Sequence, residues 1–264
     1  MKRFHHIRGF ALALCVLLVA GGCAKWDYTP EVGQSGKNVV WVPTPQALVD
    51  AMLDMAQVTP ADYVIDLGSG DGRIVITAAK LGATALGIEY NPDMVELARR
   101  AARAERVSAR ASFKNADIFE SDFSSATVVT MFLLPELNLL LRPTILNMKP
   151  GTRVVSNNFD MGEWRPDESR TIEGSVSWNL AHLWIVPARV DGIWRLENGQ
   201  VHFMQEFQYL TGTLTINGRN MALNGKLDGD TIKFTAGGTR YSGTVSGGKI
   251  FGSYNGGGFW KAIR

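Results

Sequence analysis

Cysteine and histidine are scarce in this chain of 264 residues, which contains two cysteines and four histidines. Cys15 and Cys23 both lie near the N-terminus, so a disulfide framework is excluded for everything after residue 23. His5 and His6 lie in the same stretch, which leaves two histidines for the rest of the chain. This supply is too small to indicate a zinc site or a histidine-based nucleophile, and we predict no metal site.

Excess positive charge is also missing once the N-terminal stretch is set aside. The whole chain has a formal charge of +2, but residues 1–22 contain Lys2, Arg3 and Arg8 and no acidic residue. The remaining residues therefore carry 24 basic and 25 acidic side chains, a net charge of −1. No basic stripe is left to follow a phosphate backbone, so we predict no nucleic-acid partner.

Residues 1–22 have the pattern of a bacterial signal peptide. The apolar run from Phe10 to Gly22 has 13 residues, fewer than the ~20 that a membrane-spanning helix needs. Ala20-Gly21-Gly22-Cys23 resembles a lipobox, although Ala20 stands where leucine is usual. We predict a chain in the bacterial cell envelope, anchored by a lipid on Cys23 or periplasmic, with a tether over 23–38. An uncleaved anchor, or a misassigned start and a cytoplasmic protein, are the alternatives.

Between residues 39 and 190, short apolar runs alternate with segments of helical periodicity. This alternation is typical of a doubly wound, Rossmann-like α/β sheet. We predict Thr44 as a helix N-cap, a helix start at Asn91-Pro92, and a helical segment over 135–148 interrupted at Pro143. The predicted strands are Tyr63–Leu67, Thr84–Glu89, Ala111–Asn115, Ala126–Phe132 and Arg153–Asn157, with a closing antiparallel pair near 169–173 and 180–186.

Residues 191–264 have a different pattern, a series of short alternating runs separated by turn signals such as Asn217-Gly218 and Gly237-Gly238. Runs of this kind predict an antiparallel β module, a meander or small half-barrel. One of the predicted strands runs without a break from Gln200 to Leu210. The sequence does not indicate what this module does.

The stretch Asp66-Leu67-Gly68-Ser69-Gly70-Asp71-Gly72 joins a predicted buried strand to a helix. Its glycines allow a ligand to approach the backbone closely. In a dinucleotide fingerprint the third glycine falls one position later, where this chain has Arg73. Carboxylates beside the turn repel a pyrophosphate and suit a ligand with an amino group and a positive charge, so we predict S-adenosylmethionine and not NAD.

Three further features end strands at the same edge of the sheet, where open α/β sheets bind ligands. Glu89 ends the second strand and can accept hydrogen bonds from ribose hydroxyls. Asp117 and Ile118 follow the third strand and suit an adenine. The segment Phe132-Leu133-Leu134-Pro135 follows the fourth strand and can wall the cleft beside the methyl donor.

These motifs resemble those of class I, seven-stranded S-adenosylmethionine-dependent methyltransferases, with Asp66–Ile74 as the first motif and Gly87-Ile88-Glu89 as the second. The segments Pro43-Thr44-Pro45 and Phe132–Asn138 resemble a bacterial group similar to the lysine methyltransferases of the ATP synthase c subunit. Ser156–Phe159 is similar to a segment of the seven-stranded histone-lysine methyltransferases.

The resemblance implies a set of site residues. Those implied to bind the cofactor are Trp41, Thr44, Asp66, Gly68, Ser69, Gly70, Gly72, Glu89, Asp117, Ile118 and Leu133, and Asn157 and Asn158 are candidates for orienting the methyl acceptor. We therefore predict a methyltransferase that acts on a protein side chain such as lysine, or on a small molecule. The alternative is an exported binding protein that retains the fold and has lost catalysis.

Overall fold

The computed structural model describes residues 28–173, 178–255 and 257–264. The predicted leader and Cys23 lie outside these ranges. The described chain forms an α/β module with a seven-stranded sheet, followed by an antiparallel barrel of eight strands. This architecture confirms the predicted fold class, while the exact domain boundaries stay predictions. No helix within the described ranges is long and apolar enough to cross a membrane.

The sheet of the α/β module has the spatial order β3-β2-β1-β4-β5-β7-β6. The first five strands pair in parallel, and β7 pairs antiparallel with β5 and β6. The elements are α1 (Gln46–Met55), β1 (Tyr63–Leu67), α2 (Arg73–Lys80), β2 (Thr84–Glu89), α3 (Pro92–Ala104), β3 (Ala111–Asn115), β4 (Val128–Met131), α4 (Pro135–Leu146), β5 (Arg153–Asn157), β6 (Glu168–Thr171) and β7 (Leu180–Ile185).

Strand β1 lies in the middle of the sheet because both of its faces are apolar and covered. Val64 belongs to the core under α1, α2 and α3. Ile65 and Leu67 belong to the core on the other face, which includes Leu141 and Ile145 of α4. A strand buried on both faces is a continuous apolar run, which is why its bounds are readable from the sequence.

Of the three predictions about helices, the structure confirms the start of one helix and contradicts the other two. Asn91 caps α3, and its side chain accepts the backbone N–H of Asp93 at 2.9 Å. The N-cap prediction for Thr44 is wrong, because α1 begins at Gln46 and the Thr44 hydroxyl instead accepts a hydrogen bond from Asn157. The predicted interruption of α4 is also wrong, since the helix continues through Pro143, which removes one backbone donor without ending it.

The barrel has the order β10-β11-β12-β13-β14-β15-β8-β9 and closes where β15 meets β8 at Ile263 and Arg195. The antiparallel module is thus confirmed, and it is a closed barrel where we expected a meander or half-barrel. Its strands are β8 (Gly192–Leu196), β9 (Gly199–Glu206), β10 (Tyr209–Ile216), β11 (Arg219–Asp228), β12 (Thr231–Ala236), β13 (Thr239–Ser246), β14 (Lys249–Tyr254) and β15 (Gly258–Ile263).

The prediction of one strand from Gln200 to Leu210 is wrong, because the chain turns at Phe207 and Gln208 between β9 and β10. Phe207 has a φ of +52°, a conformation in which turns usually place glycine or asparagine. Contacts with the α/β module hold this turn in place. The Phe207 ring stacks on Trp164 with centroids 6.1 Å apart, and the buried Gln208 donates to the Arg165 carbonyl at 2.8 Å.

Candidate active site

The main cavity of the α/β module lies at the carboxyl ends of the parallel strands. The chain runs outward from β1 through β2 to β3, then returns to add β4 on the other side of β1. The order of the strands therefore reverses between β1 and β4, which is where open α/β sheets bind their ligands. The cavity has a volume of about 530 Å³ and includes the turn that follows β1.

Ten of the eleven residues predicted to bind a cofactor line this cavity, and only Gly72 does not. They come from five separate stretches of the chain that the fold brings together. The ten are Trp41, Thr44, Asp66, Gly68, Ser69, Gly70, Glu89, Asp117, Ile118 and Leu133. The structure thus gathers these residues around one space, and their individual roles stay predictions.

The glycine turn combines left-handed backbone with close neighbours. Gly68 and Gly70 have φ values of +78° and +52°. A Cβ added to Gly70 would lie 2.7 Å from Nε1 of Trp41, because the indole packs directly on the turn. Any larger residue at this position would push Trp41 away and narrow the cavity.

Gly72 serves packing rather than the cavity. Its φ is +82°, and a Cβ there would lie 2.6 Å from the Phe113 ring and 2.8 Å from Cβ of Ala98. The absence of a side chain lets α2 start close against β3 and α3. This explains why a glycine of the predicted motif lies away from the ligand space.

Asp66 is a buried carboxyl at the end of β1, with a side chain that is only 3 % exposed. Its Oδ1 accepts a hydrogen bond from the Thr130 hydroxyl on β4 at 2.7 Å. Burial is the main cause that raises the pKa of Asp66 to about 7; the Thr130 hydrogen bond opposes this rise, and the charges of Glu89 and Asp71 contribute to it. A positively charged ligand in the cavity favours the ionised form of this carboxyl.

Glu89 connects the glycine turn to the start of α3. One carboxylate oxygen accepts the N–H of Gly70 at 2.9 Å, and the other accepts the N–H of Asn91 at 2.8 Å. Each oxygen retains acceptor capacity on the cavity side. The carboxylate is therefore fixed at the position where the sequence predicts contacts with ribose hydroxyls.

Asp71 does not face the cavity as a free negative charge. Arg73 donates to it from Nε at 3.0 Å and from Nη2 at 2.5 Å, and its Nη1 donates to the Thr44 carbonyl at 2.8 Å. This ion pair weakens the repulsion that we predicted between Asp71 and a pyrophosphate. The carboxyl groups of Asp66 and Glu89 remain to repel such a ligand. The same arginine ties the turn to the segment before α1.

The segment that we interpreted as the end of a tether forms one side of the cavity. Residues 34–38 line it, and backbone hydrogen bonds join Gly33 and Gln34 to Trp41 at 2.8 and 2.9 Å. Lys37 forms an ion pair with Asp117 and lies 4.7 Å from the centroid of the Tyr90 ring. The Lys37 hydrogen bond lowers the pKa of Asp117, so this carboxylate is ionised when it meets an adenine amino group.

The two residues that are candidates for orienting the methyl acceptor lie behind the cavity. Neither Asn157 nor Asn158 is among its lining residues. Asn157 is fully buried and donates from Nδ2 to the Thr44 hydroxyl at 3.1 Å, so it reaches the site through Thr44. Asn158 has a φ of +64° and forms the turn after β5. Neither residue is therefore placed to contact an acceptor directly, and a catalytic role for either residue stays a prediction.

Three aromatic rings that sequence reasoning did not bring together form a cluster at the cavity. Phe132 lies 5.4 Å from Trp178 and 6.2 Å from Phe159, and Phe159 lies 5.8 Å from Trp178, measured between ring centroids. All three line the cavity. Trp178 is 37 % exposed. Phe132 lies in the segment predicted to wall the cleft, and Phe159 ends the Ser156–Phe159 segment with its own family resemblance, whereas no sequence signal marks Trp178.

The residues present fit S-adenosylmethionine. Ser69 presents a buried hydroxyl that has no hydrogen-bond partner among the described residues, and Asp66 and Glu89 supply negative charge to a cationic ligand. Ile118 and Leu133 add apolar walls. When bound, this cofactor supplies a methyl group on a positively charged sulfur, and the contribution of the chain is to position donor and acceptor.

Comparison with known proteins agrees with this site. The ANTKMT methyltransferase domain family matches residues 66–168. The protein-lysine N-methyltransferase of Saccharolobus islandicus is 42% identical over 152 residues, which cover 56% of this chain and 94% of that protein. The lysine N-methyltransferase of the ATP synthase c subunit from Rattus norvegicus is 34% identical over 157 residues, covering 57% of this chain and 72% of that protein.

A solved structure has the same fold and contains the product that remains when the cofactor has given up its methyl group. The crystal structure of an RNA methyltransferase from Salinibacter ruber in complex with S-adenosyl-L-homocysteine is 47% identical, with a TM-score of 0.54. The match covers 56% of this chain and 96% of that one. Together with the site geometry, these relatives establish that the chain belongs to the S-adenosylmethionine-dependent methyltransferase family.

Proposed function

We propose that this methyltransferase modifies the side-chain amine of a lysine in a protein. The relatives from Saccharolobus islandicus and Rattus norvegicus are both named as lysine methyltransferases. The name of the Salinibacter ruber structure instead specifies RNA. The cavity of this chain provides the observations that favour the amine.

The aromatic cluster of Phe132, Phe159 and Trp178 carries the proposal. A lysine side chain has an apolar stem and a cationic head, and aromatic faces attract both. Contact with the rings also removes water from the amine, which lowers its pKa and favours the neutral form. The neutral amine then attacks the methyl carbon, and the electron pair of the broken carbon–sulfur bond stays on sulfur.

The charges around the cavity favour an amine over a phosphate backbone. The carboxyl side chains that line it are those of Asp66, Asp71, Glu89 and Asp117, and the basic ones are Lys37 and Arg73. Both basic side chains are paired with carboxylates. The described lining therefore offers no unpaired cation to RNA, and its excess negative charge attracts a cationic acceptor.

Transfer of a labelled methyl group tests the acceptor class. We expect purified enzyme with labelled S-adenosylmethionine to place the label in methyl-lysine of an envelope protein extract, where protease and not ribonuclease releases it. Label that ribonuclease releases would instead identify an RNA acceptor. Cofactor binding without transfer to either would favour the alternative of a binding protein that has lost catalysis.

A variant of the aromatic cluster ties the result to this site. Trp178→Ala is expected to lower kcat/KM for the protein acceptor by about tenfold, the order of one lost aromatic contact. The dissociation constant of S-adenosylmethionine should stay near that of the native enzyme. Tyr209→Ala on the barrel removes an aromatic ring of similar exposure, 42 % against 37 %, and should change neither quantity.

We also propose that the enzyme works in the bacterial cell envelope, held by a lipid on Cys23. The basic start, the apolar run and the small residues before Cys23 support this location. Mass spectrometry of the N-terminal peptide of the mature chain should find an acylated Cys23. An intact leader with an unmodified cysteine would contradict lipidation and favour the uncleaved anchor or the cytoplasmic alternative.

A further inference from the structure

One side of the barrel differs in composition from the rest of it. The outward-pointing side chains of β8, β14 and β15 include four large apolar residues and three basic residues. We call these seven the apolar-basic face: Ile193 and Arg195 on β8, Lys249 and Phe251 on β14, and Phe259, Lys261 and Ile263 on β15.

Alternation along each strand places these side chains on the outside. Trp194 of β8, Ile250 of β14 and Ala262 of β15 lie between members of the face and are buried in the barrel core. Successive side chains of a strand point to opposite sides of the sheet. The seven residues therefore project away from the core.

The apolar members are exposed to an unusual degree. The exposed fraction is 88 % for Phe259, 55 % for Ile193, 50 % for Phe251 and 43 % for Ile263. They are also diagonal neighbours. Phe251 pairs with Lys261, which lies between Phe259 and Ile263 on β15, and Ile263 pairs with Arg195, two residues from Ile193 on β8. A continuous exposed apolar patch on a monomer marks a surface that meets another apolar phase.

Basic residues are interleaved with the apolar ones. Nζ of Lys261 lies 5.5 Å from the centroid of the Phe251 ring, and Lys249 and Arg195 flank Ile263 on its two sides. Strands β8, β14 and β15, all of whose residues are described, contain no acidic residue. The acids adjacent to these strands are Asp191, directly before β8, and Glu197, directly after it.

The neighbouring strands show where the face ends. The adjacent strands are β13 and β9. The outward side chains of β13 are Arg240, Ser242, Thr244 and Ser246, and those of β9 are Gln200, His202, Met204 and Glu206. These side chains are mostly polar and include one acid, and Met204 is the one large apolar residue among them. The apolar and basic residues are thus concentrated on one side and are not a general property of the barrel.

We propose that the apolar-basic face binds the surface of an anionic lipid bilayer. Phenylalanine and isoleucine side chains enter the boundary between headgroups and acyl chains, while lysine and arginine pair with anionic headgroups. The absence of acids from the three strands gives the charge complementarity that this partner requires. Such binding would hold the enzyme on a membrane whether or not Cys23 carries a lipid, and it does not depend on the identity of the methyl acceptor.

Vesicle flotation tests the proposal on residues 24–264. This chain retains every described residue and lacks the apolar leader and Cys23, either of which could bind vesicles alone. We expect binding to vesicles of phosphatidylcholine with phosphatidylglycerol, weak binding to phosphatidylcholine alone, and loss of binding as salt is added. Phe251→Ser with Phe259→Ser should lower the partition coefficient about tenfold or more, and Lys249→Glu or Lys261→Glu at least about fivefold each.

Matched substitutions outside the face serve as controls. Tyr209→Ser removes an exposed aromatic side chain from β10, and Lys233→Glu reverses a charge on β12, so both should bind vesicles like the native chain. A thermal unfolding transition at the native temperature verifies the fold of every variant. Absent vesicle binding, or binding that the face variants and controls change equally, would overturn the proposal. So would binding of an RNA oligonucleotide through the same residues without vesicle binding.

Discussion

Replacing Asp66 by asparagine is expected to weaken S-adenosylmethionine binding about 10- to 100-fold at neutral pH, the order of one charge-assisted contact. The carboxyl is buried at the end of β1, and its pKa is raised to about 7 chiefly by that burial. Without cofactor it therefore holds a proton below about pH 7. A cofactor with a positively charged amino group and sulfur favours the ionised form, so binding releases this proton.

The sign of the pH dependence follows from that release. The affinity of the native enzyme should rise with pH up to about 7 and then level off, with a slope of up to about tenfold per pH unit on the acidic side. Asp66→Asn has no proton to release, so its affinity should be low and nearly independent of pH over this range. Calorimetric titration with S-adenosylmethionine at a series of pH values measures both effects.

Thr130→Val is the matched variant, because it keeps the charge of Asp66 and removes the hydroxyl that donates to it at 2.7 Å. That hydrogen bond lowers the pKa of Asp66. Its loss should therefore raise this pKa further and move the acidic limb of the affinity profile to higher pH. A profile for Asp66→Asn that keeps the native acidic limb would show that another group titrates, and would refute this account of the site.

The first module was largely predictable because its signals are local. Strands β1, β2, β3 and β5 have the predicted bounds. Strands β1 and β5 are covered on both faces and are therefore largely apolar along their length, whereas the edge strand β3 is recognisable from its alternation of Ala111 and Phe113 with polar residues. The site residues at the strand ends were also predictable. Once Asp66, Glu89 and Asp117 end neighbouring parallel strands, the topology alone brings them to one edge of the sheet.

What sequence reasoning missed depends on contacts between distant residues. Nothing near Phe207 signals a turn, and the turn forms where that ring stacks on Trp164 of the other module. Lys37 lies in a polar segment with the composition of a linker, yet its partner Asp117 is 80 residues away in the chain. A pairing of this kind leaves no periodicity or turn signal in either segment.

The second large effect is expected at Glu89, where alanine should lower the affinity for S-adenosylmethionine at least about 100-fold. This carboxylate is predicted to accept two ribose hydroxyls, and hydrogen bonds to a charged acceptor contribute about 1.5–3 kcal/mol each. Alanine also releases the N–H groups of Gly70 and Asn91, which Glu89 now accepts. The turn then loses one of the contacts that hold it against β2, while the N–H groups of Gly68 and Ser69 still donate to the Ile88 carbonyl. The loss of affinity therefore combines two causes.

Glu89→Gln separates these causes, because it keeps the shape of the side chain and changes one acceptor into a donor. Gly70 and Asn91 both present N–H groups to the side chain, so the glutamine NH2 must face a donor at one of them. We expect glutamine to lower the affinity by about tenfold, less than alanine does. Glu96→Ala removes a carboxylate that pairs with Arg100 and Arg103 on α3, away from the cavity, and should not change cofactor affinity. Equal affinities for Glu89→Ala and Glu96→Ala would mean that the ribose lies elsewhere and that the cofactor binds this sheet edge without the second motif.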